Sequence, residues 1–166
     1  RLQELGVHSR IEVVPHGIDT DRFTPEGRKS ELIDASGPVV LFVGRLVEGK
    51  RPKIAIDAFT EVLQEHSNAE MYLCGDGPLR GALDAQVQEL GIDGSVTFLG
   101  HVPYDEMPKV YRSVDVLVLP SRAEGLPRTV LEAMASGVQV VCSNLAQLTE
   151  LTEDGMTRVN VQQGSN

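Results

Sequence analysis

Short apolar runs alternate with stretches whose apolar residues recur at helical spacing, and this alternation constrains the fold more than any other feature of the 166 residues. The runs sit at 11–14, 39–43, 71–74, 96–99, 114–119 and 138–142. The second, Val39-Val40-Leu41-Phe42-Val43, is apolar at every position, as expected of a strand buried on both faces. Between the runs, Ile54, Ala55, Ala58, Phe59, Val62 and Leu63 follow a helical period. Pro78 suits a first helical position, a helix is expected near 106–113, and another from 127 to 136 with Gly137 as its stop. Residues 15–25 read as a connecting loop and 27–38 as an exposed link. Repeated βα units predict an α/β fold, a Rossmann-like doubly wound parallel sheet with helices on both faces. Ligands of such sheets bind beyond the carboxyl ends of the strands, where the strand order reverses. The loops at Gly44, Gly75, Gly100, Pro120 and Ser143 are therefore the places to look for a site.

The length suits one α/β domain with a sizeable core. A net charge of −9 argues against a general nucleic-acid binder, which needs a basic face to meet phosphates, and disfavours anionic membranes. No stretch is long and apolar enough to span a bilayer, and no signal peptide opens the chain, which starts at Arg1 rather than Met. Cys74 and Cys142 each end an apolar run, where free thiols commonly sit as small hydrophobes. A reducing, cytoplasmic setting is expected on that ground.

Against this acidic background, Arg45, Lys50, Arg51 and Lys53 gather four cations within nine residues, just after the 39–43 strand. The loop Gly44-Arg45-Leu46-Val47-Glu48-Gly49-Lys50-Arg51 almost spells the phosphate-binding loop of nucleoside-triphosphate hydrolases. Arg51 stands where that loop needs a Ser or Thr hydroxyl for Mg²⁺, and Pro52 follows, so a hydrolase is not indicated. Cations beside a helix N-terminus suit a diphosphate; a solvated basic loop is the equal alternative at this point.

A second stretch runs from Ser121 to Ala135. Glu124 lies in the loop after a strand and Glu132 in the helix that follows. A helical side chain leans back toward the helix N-terminus, so Glu132 can reach the same cleft as Glu124. Carboxylates there can accept hydrogen bonds from sugar or ribose hydroxyls, and the backbone N–H groups of Gly125 and Leu126 can serve an anion. Two glutamates eight apart are, by themselves, more often solvated surface charges.

Six pieces in order carry a family resemblance over nearly the whole chain. They are Val14-Pro15-His16-Gly17-Ile18-Asp19 with Phe23 and Pro25; Phe42-Val43-Gly44-Arg45-Leu46 with Lys50; Gly75-Asp76-Gly77-Pro78-Leu79; Val96 with Phe98-Leu99-Gly100; Asp115-Val116-Leu117-Val118-Leu119-Pro120-Ser121; and Glu124-Gly125 through Glu132-Ala133-Met134-Ala135. The chain resembles the C-terminal domain of the group 1 (family 4) glycosyltransferases of GT-B architecture. The resemblance implies that residues 1–166 form the nucleotide-sugar-binding half of a longer retaining enzyme, with an N-terminal acceptor domain outside this sequence. It implies a UDP- or GDP-type sugar donor held without metal or cofactor, and leaves any peripheral membrane contact to the other domain. Position by position, Arg45 and Lys50 match the pair that holds the donor diphosphate as it leaves. Glu132 matches the ribose-binding glutamate of the E-x7-E motif and Glu124 its partner beside the transferred sugar. Gly125, Leu126 and Pro127 match backbone lining the sugar pocket. Gly44 lies in the first loop, and Val102 matches a loop that reads the base.

The sequence departs from the family pattern in places. Pro127 stands where many members have a second Gly, and Arg51 where a Gly usually follows the Lys. Leu145-Ala146-Gln147 replaces a segment that often holds a Gly pair, and Arg158 replaces another Gly. These last changes touch the wall that would select the sugar. Asp19-Thr20-Asp21 spells a metal-binding DxD of a different glycosyltransferase architecture, but its place in the opening loop favours a structural role. Asp115 opens a strand and is expected to act as a structural acceptor. Gly75-Asp76-Gly77 lacks the third Gly of a dinucleotide fingerprint, and no His or Cys spacing resembles a zinc site. His16 and His101 fall in cleft-side loops. The competing functions are a nucleotide-sugar-binding module without activity and a GT-B-like sugar-nucleotide epimerase or phosphorylase.

Overall fold

Among the described residues, six parallel strands stand in the order β3-β2-β1-β4-β5-β6. A computed structural model describes Gly6 and residues 17–125, 127–145 and 155–161. The strands are β1 (Val39–Val43), β2 (Glu70–Cys74), β3 (Val96–Gly100), β4 (Val116–Leu119), β5 (Gln139–Ser143) and β6 (Met156–Val159); the helices are α1 (Pro52–Glu65), α2 (Arg80–Glu89), α3 (Met107–Tyr111) and α4 (Arg128–Ala135). The predicted strand at 11–14 lies outside the described residues, as do His16, Leu126, Ala146 and Gln147.

The continuous apolar character of β1 has a direct cause. Val39 and Leu41 enter one core with Tyr111, Leu117, Val130 and Val140, while Val40 and Phe42 enter another with Ile56, Phe59, Leu73 and Leu83. Each face of the sheet is thus covered, one by α3 and α4 and the other by α1 and α2, and neither side of β1 meets water. In α1, Pro52, Ala55, Ile56 and Phe59 are buried at the spacing of one helical face. Asp115 performs the structural role expected of it: its carboxylate accepts the Val39 N–H at 2.8 Å, and its own N–H donates to the Val39 carbonyl at 3.0 Å.

Three features differ most from the sequence reading. Pro78 does not start a helix; it sits in a turn closed by the Arg80 N–H donating to the Gly77 carbonyl, and α2 begins at Arg80. The strand expected at 114–119 starts two residues later, because Asp115 is taken up in binding Val39. The sixth strand, β6, was not anticipated. Among the described residues it pairs with β5 alone, and of its own residues only Met156 is buried, so its sequence shows no apolar run.

The strand order turns back between β1 and β4. These two strands pair at Val40–Val116 and Leu41–Leu117, below their carboxyl ends, which leaves room for a crevice above.

Candidate nucleotide-sugar cleft

A cleft of about 520 Å³ opens at this switch point. Its floor is formed by the ends of β1 and β2, with Val43, Gly44 and Arg45 beside Cys74, Gly75 and Asp76. His101, Val102 and Tyr104 from the loop after β3 form one wall, and Met107 and Tyr111 of α3 with Arg128, Thr129 and Glu132 of α4 form the other.

Glycine makes the floor possible. The Gly44 N–H donates to the Cys74 carbonyl at 2.9 Å, the Gly75 N–H to the Gly100 carbonyl at 2.7 Å, and the Leu46 N–H to the Asp76 carbonyl at 3.0 Å. The three loops are thereby zipped backbone to backbone beyond the strands. Gly75 adopts φ +128°, and a Cβ there would collide with the Gly44 carbonyl. Cys74 is buried in the same floor, and burial pushes its thiol up to about 12. Both cysteines are free and buried, as expected of small hydrophobes.

Glu132 is the best-determined charge in the cleft. Only 4% of it is exposed, yet both carboxylate oxygens are bonded. Tyr104 Oη donates to Oε1 at 3.1 Å and Tyr111 Oη to Oε2 at 3.2 Å. Arg128 Nη2 lies 3.5 Å from Oε1 and donates to Tyr104 Oη at 2.6 Å. Desolvation first, and the Glu132 charge second, raise the pKa of both phenols, that of Tyr111 well above its ordinary value. They therefore remain donors to a carboxylate throughout the neutral range. The phenol of Tyr104 is braced from outside by Phe23, whose ring centroid is 5.7 Å away, and by the Arg22 guanidinium 4.5 Å from its ring centroid. Arg22 also pairs with Asp105 at 2.5 Å. The nearby Asp19 is occupied by its own turn, its Oδ1 accepting the N–H groups of Asp21 and Arg22 at 3.1 Å each.

The four clustered cations of the sequence do not act as one group. Arg45 lines the cleft. Lys50 Nζ lies 2.5 Å from Oε1 of Glu124, the Lys50 side chain 29% and the Glu124 side chain 9% exposed. Lys53 sits on the exposed face of α1, 4.0 Å from Glu48. Arg51 turns into a separate cavity. The reason is local: a 3-10 turn at Glu48–Lys50 followed by Arg51 at φ 53° sends successive side chains in different directions. Of the other residues singled out, Gly44, Val102 and Glu132 line the cleft. Gly125 is exposed and Pro127 is the buried N-cap of α4, but neither lines it, and Leu126 lies outside the described residues. Tyr104, Tyr111 and Arg128 were not picked out in advance. The chain holds three tyrosines in all, and two of them on the short segment before β4 was the available signal.

Residues 23–166 match the family described as glycosyl transferases group 1. The chain belongs to this family. It is 34% identical over 155 residues to the 2-deoxystreptamine glucosyltransferase of Streptomyces kanamyceticus, covering 89% of this chain and 40% of that protein. It is 36% identical over 164 residues to the D-inositol 3-phosphate glycosyltransferase of Nocardia farcinica, covering 92% of this chain and 36% of the relative. The chain thus spans about two fifths of the length of these group 1 relatives. Among solved structures, the C-terminal domain of a group 1 family protein from Francisella tularensis superposes with TM-score 0.74 at 25% identity, over 86% of this chain and 80% of that one. Anabaena HepE, solved with UDP and glucose, gives TM-score 0.73 at 27% identity over 89% of this chain and 43% of that one. The fold is accordingly Rossmann-like α/β, similar to the C-terminal domain of a group 1 glycosyl transferase, as the motif order implied.

Proposed function

We propose that this domain binds a nucleoside-diphosphate sugar in the cleft and, together with an acceptor-binding domain, transfers the sugar with retention at the anomeric carbon. One observation carries the reading: at the switch point of the sheet, a buried carboxylate, Glu132, is held in place by two phenols while facing a cleft that also receives Arg45. Such a carboxylate can accept hydrogen bonds from a ribose diol at little reorganisation cost, because its orientation is already fixed. That Anabaena HepE, a protein of similar fold, was solved in complex with UDP and glucose supports a donor of this kind.

Lys50 and Glu124 give the proposed chemistry its order. The two charges satisfy each other in the structure. A diphosphate carries more charge than one carboxylate and would draw Lys50 away, leaving Glu124 to accept hydrogen bonds from the sugar. Arg45 and Lys50 would then stabilise the negative charge that grows on the diphosphate as the glycosidic bond breaks, so the step asks for no metal ion. A UDP or GDP donor and a cytoplasmic setting belong to the same proposal.

The test uses the full-length transferase and a panel of nucleotide sugars in the presence of a chelator. Arg45→Ala and Lys50→Ala are each expected to lower kcat/KM about a hundredfold, on the order of 3 kcal/mol. Variants as fast as the parent would overturn the assignment, and a donor that is epimerised rather than transferred would replace it.

A further inference from the structure

A second cavity, of about 220 Å³, lies at the carboxyl ends of β4, β5 and β6 beside the start of α1, and shares no lining residue with the cleft of Glu132. Arg51, Ser121 and Ser143 line it, with Arg122, Asn144 and Asn160. Arg51 is 9% exposed, Ser143 5% and Ser121 not at all. The Nε of Arg51 and the hydroxyls of both serines are buried without a hydrogen-bond partner among the described residues.

Water can satisfy two hydroxyls, but it cannot neutralise the charge of a guanidinium drawn largely out of solvent. No acidic side chain is among the described lining residues, although the chain carries a net charge of −9. Arg51 also holds φ 53°, a left-handed conformation that a side chain enters at a cost and glycine does not. Among the described residues, no group compensates these two costs at Arg51. Arg51 caps the amino end of the 14-residue α1, which adds the partial positive charge of the helix at the same place.

We propose that this cavity is a subsite for a tetrahedral oxyanion, a phosphate or phosphoryl group, held by the Arg51 guanidinium and the hydroxyls of Ser121 and Ser143. A guanidinium with two hydroxyls matches such a group in charge and in hydrogen-bond donors. The cavity adjoins the donor cleft through the chain itself: Arg51 follows Lys50, and the Arg122 N–H donates to the Gly49 carbonyl at 2.9 Å. The proposal does not depend on what the Glu132 cleft binds.

Inorganic phosphate is titrated into the protein while the Arg51 Nε–Hε resonance and the Ser143 and Asn144 amides are followed, with chloride at matched ionic strength as the control. A saturable response to phosphate is expected, about tenfold weaker in Ser121→Ala and lost at the two amides in Arg51→Gly, where glycine accepts the backbone geometry. A hexose monophosphate run in parallel identifies the source: saturation at lower concentration supports a substrate phosphoryl group, and saturation by inorganic phosphate alone supports a free ion. An equal response to chloride, no saturation, or a response that survives in Arg51→Gly and disappears in Lys50→Ala overturns the proposal. Only the last of these would leave phosphate bound in the donor cleft.

Discussion

At the residue scale, the cleft depends on a few atoms whose neighbours leave no slack. Glu132 was marked by its spacing from Glu124, but what makes it a fixed acceptor is the pair of phenols from residues 28 and 21 positions away. Tyr111→Phe removes the donor to Oε2 in a fully buried position and leaves that carboxylate oxygen unsatisfied. The expected loss is about 1–3 kcal/mol of stability, read from the urea midpoint, together with weaker nucleotide binding. Gly75 is the opposite case, a residue that matters for what it lacks. Gly75→Ala would drive a methyl group into the Gly44 carbonyl at a positive φ, and a loss of about 3 kcal/mol or more is expected in the same measurement. An unchanged midpoint for Gly75→Ala would show that the two loops can separate without cost.

Among the elements, α4 shows how local chemistry and packing share the work. Pro127 precedes its first turn, and Gly137, at φ +78°, ends it, so both limits are set by backbone preference. Between them Val130 and Ala133 pack against the sheet, which fixes the rotation of the helix and so aims Glu132 at the cleft. Gly137→Ala should cost about 1 kcal/mol through the left-handed conformation alone, and its Cβ would stand 3.2 Å from Cγ of Pro25. Thermal melting of that variant measures the effect. The strands were legible wherever both faces are buried, as in β1 and β2. The strand β6 was not, because only Met156 of its four residues is buried and no apolar run marks it.

For the whole molecule, burial of ionisable groups beneath the cleft predicts how stability depends on pH. The Cys74 thiol rises from an ordinary value of 9.0 to about 12, chiefly by desolvation, and the Tyr72 phenol from 10.0 to about 12, by desolvation and then by its hydrogen bond to Glu70. Both are neutral when protonated. Between the unfolded and folded pKa values the native state holds more protons than the unfolded chain, so stability falls as pH rises. Stability on this account is fully present below about pH 9 and is lost progressively between about 9 and 12, at up to about 1.4 kcal/mol per pH unit for each group. Urea midpoints at pH 8 and above should follow that direction, and Cys74→Ala should delay the onset. A flat profile up to pH 11 would contradict it.

The order of the βα units, the two-faced burial of β1 and the group 1 motif sequence were determined by the amino-acid sequence alone, because hydrophobic period and turn chemistry act over a few neighbouring residues. Tertiary structure decided which side chains meet. It set Tyr104 and Tyr111 on Glu132, paired Lys50 with Glu124, and turned Arg51 out of the basic cluster into a cavity of its own. Such meetings depend on strand order, helix rotation and the sign of φ at single residues. Proximity along the chain carries none of these, and so four cations within nine residues came to occupy four different surroundings.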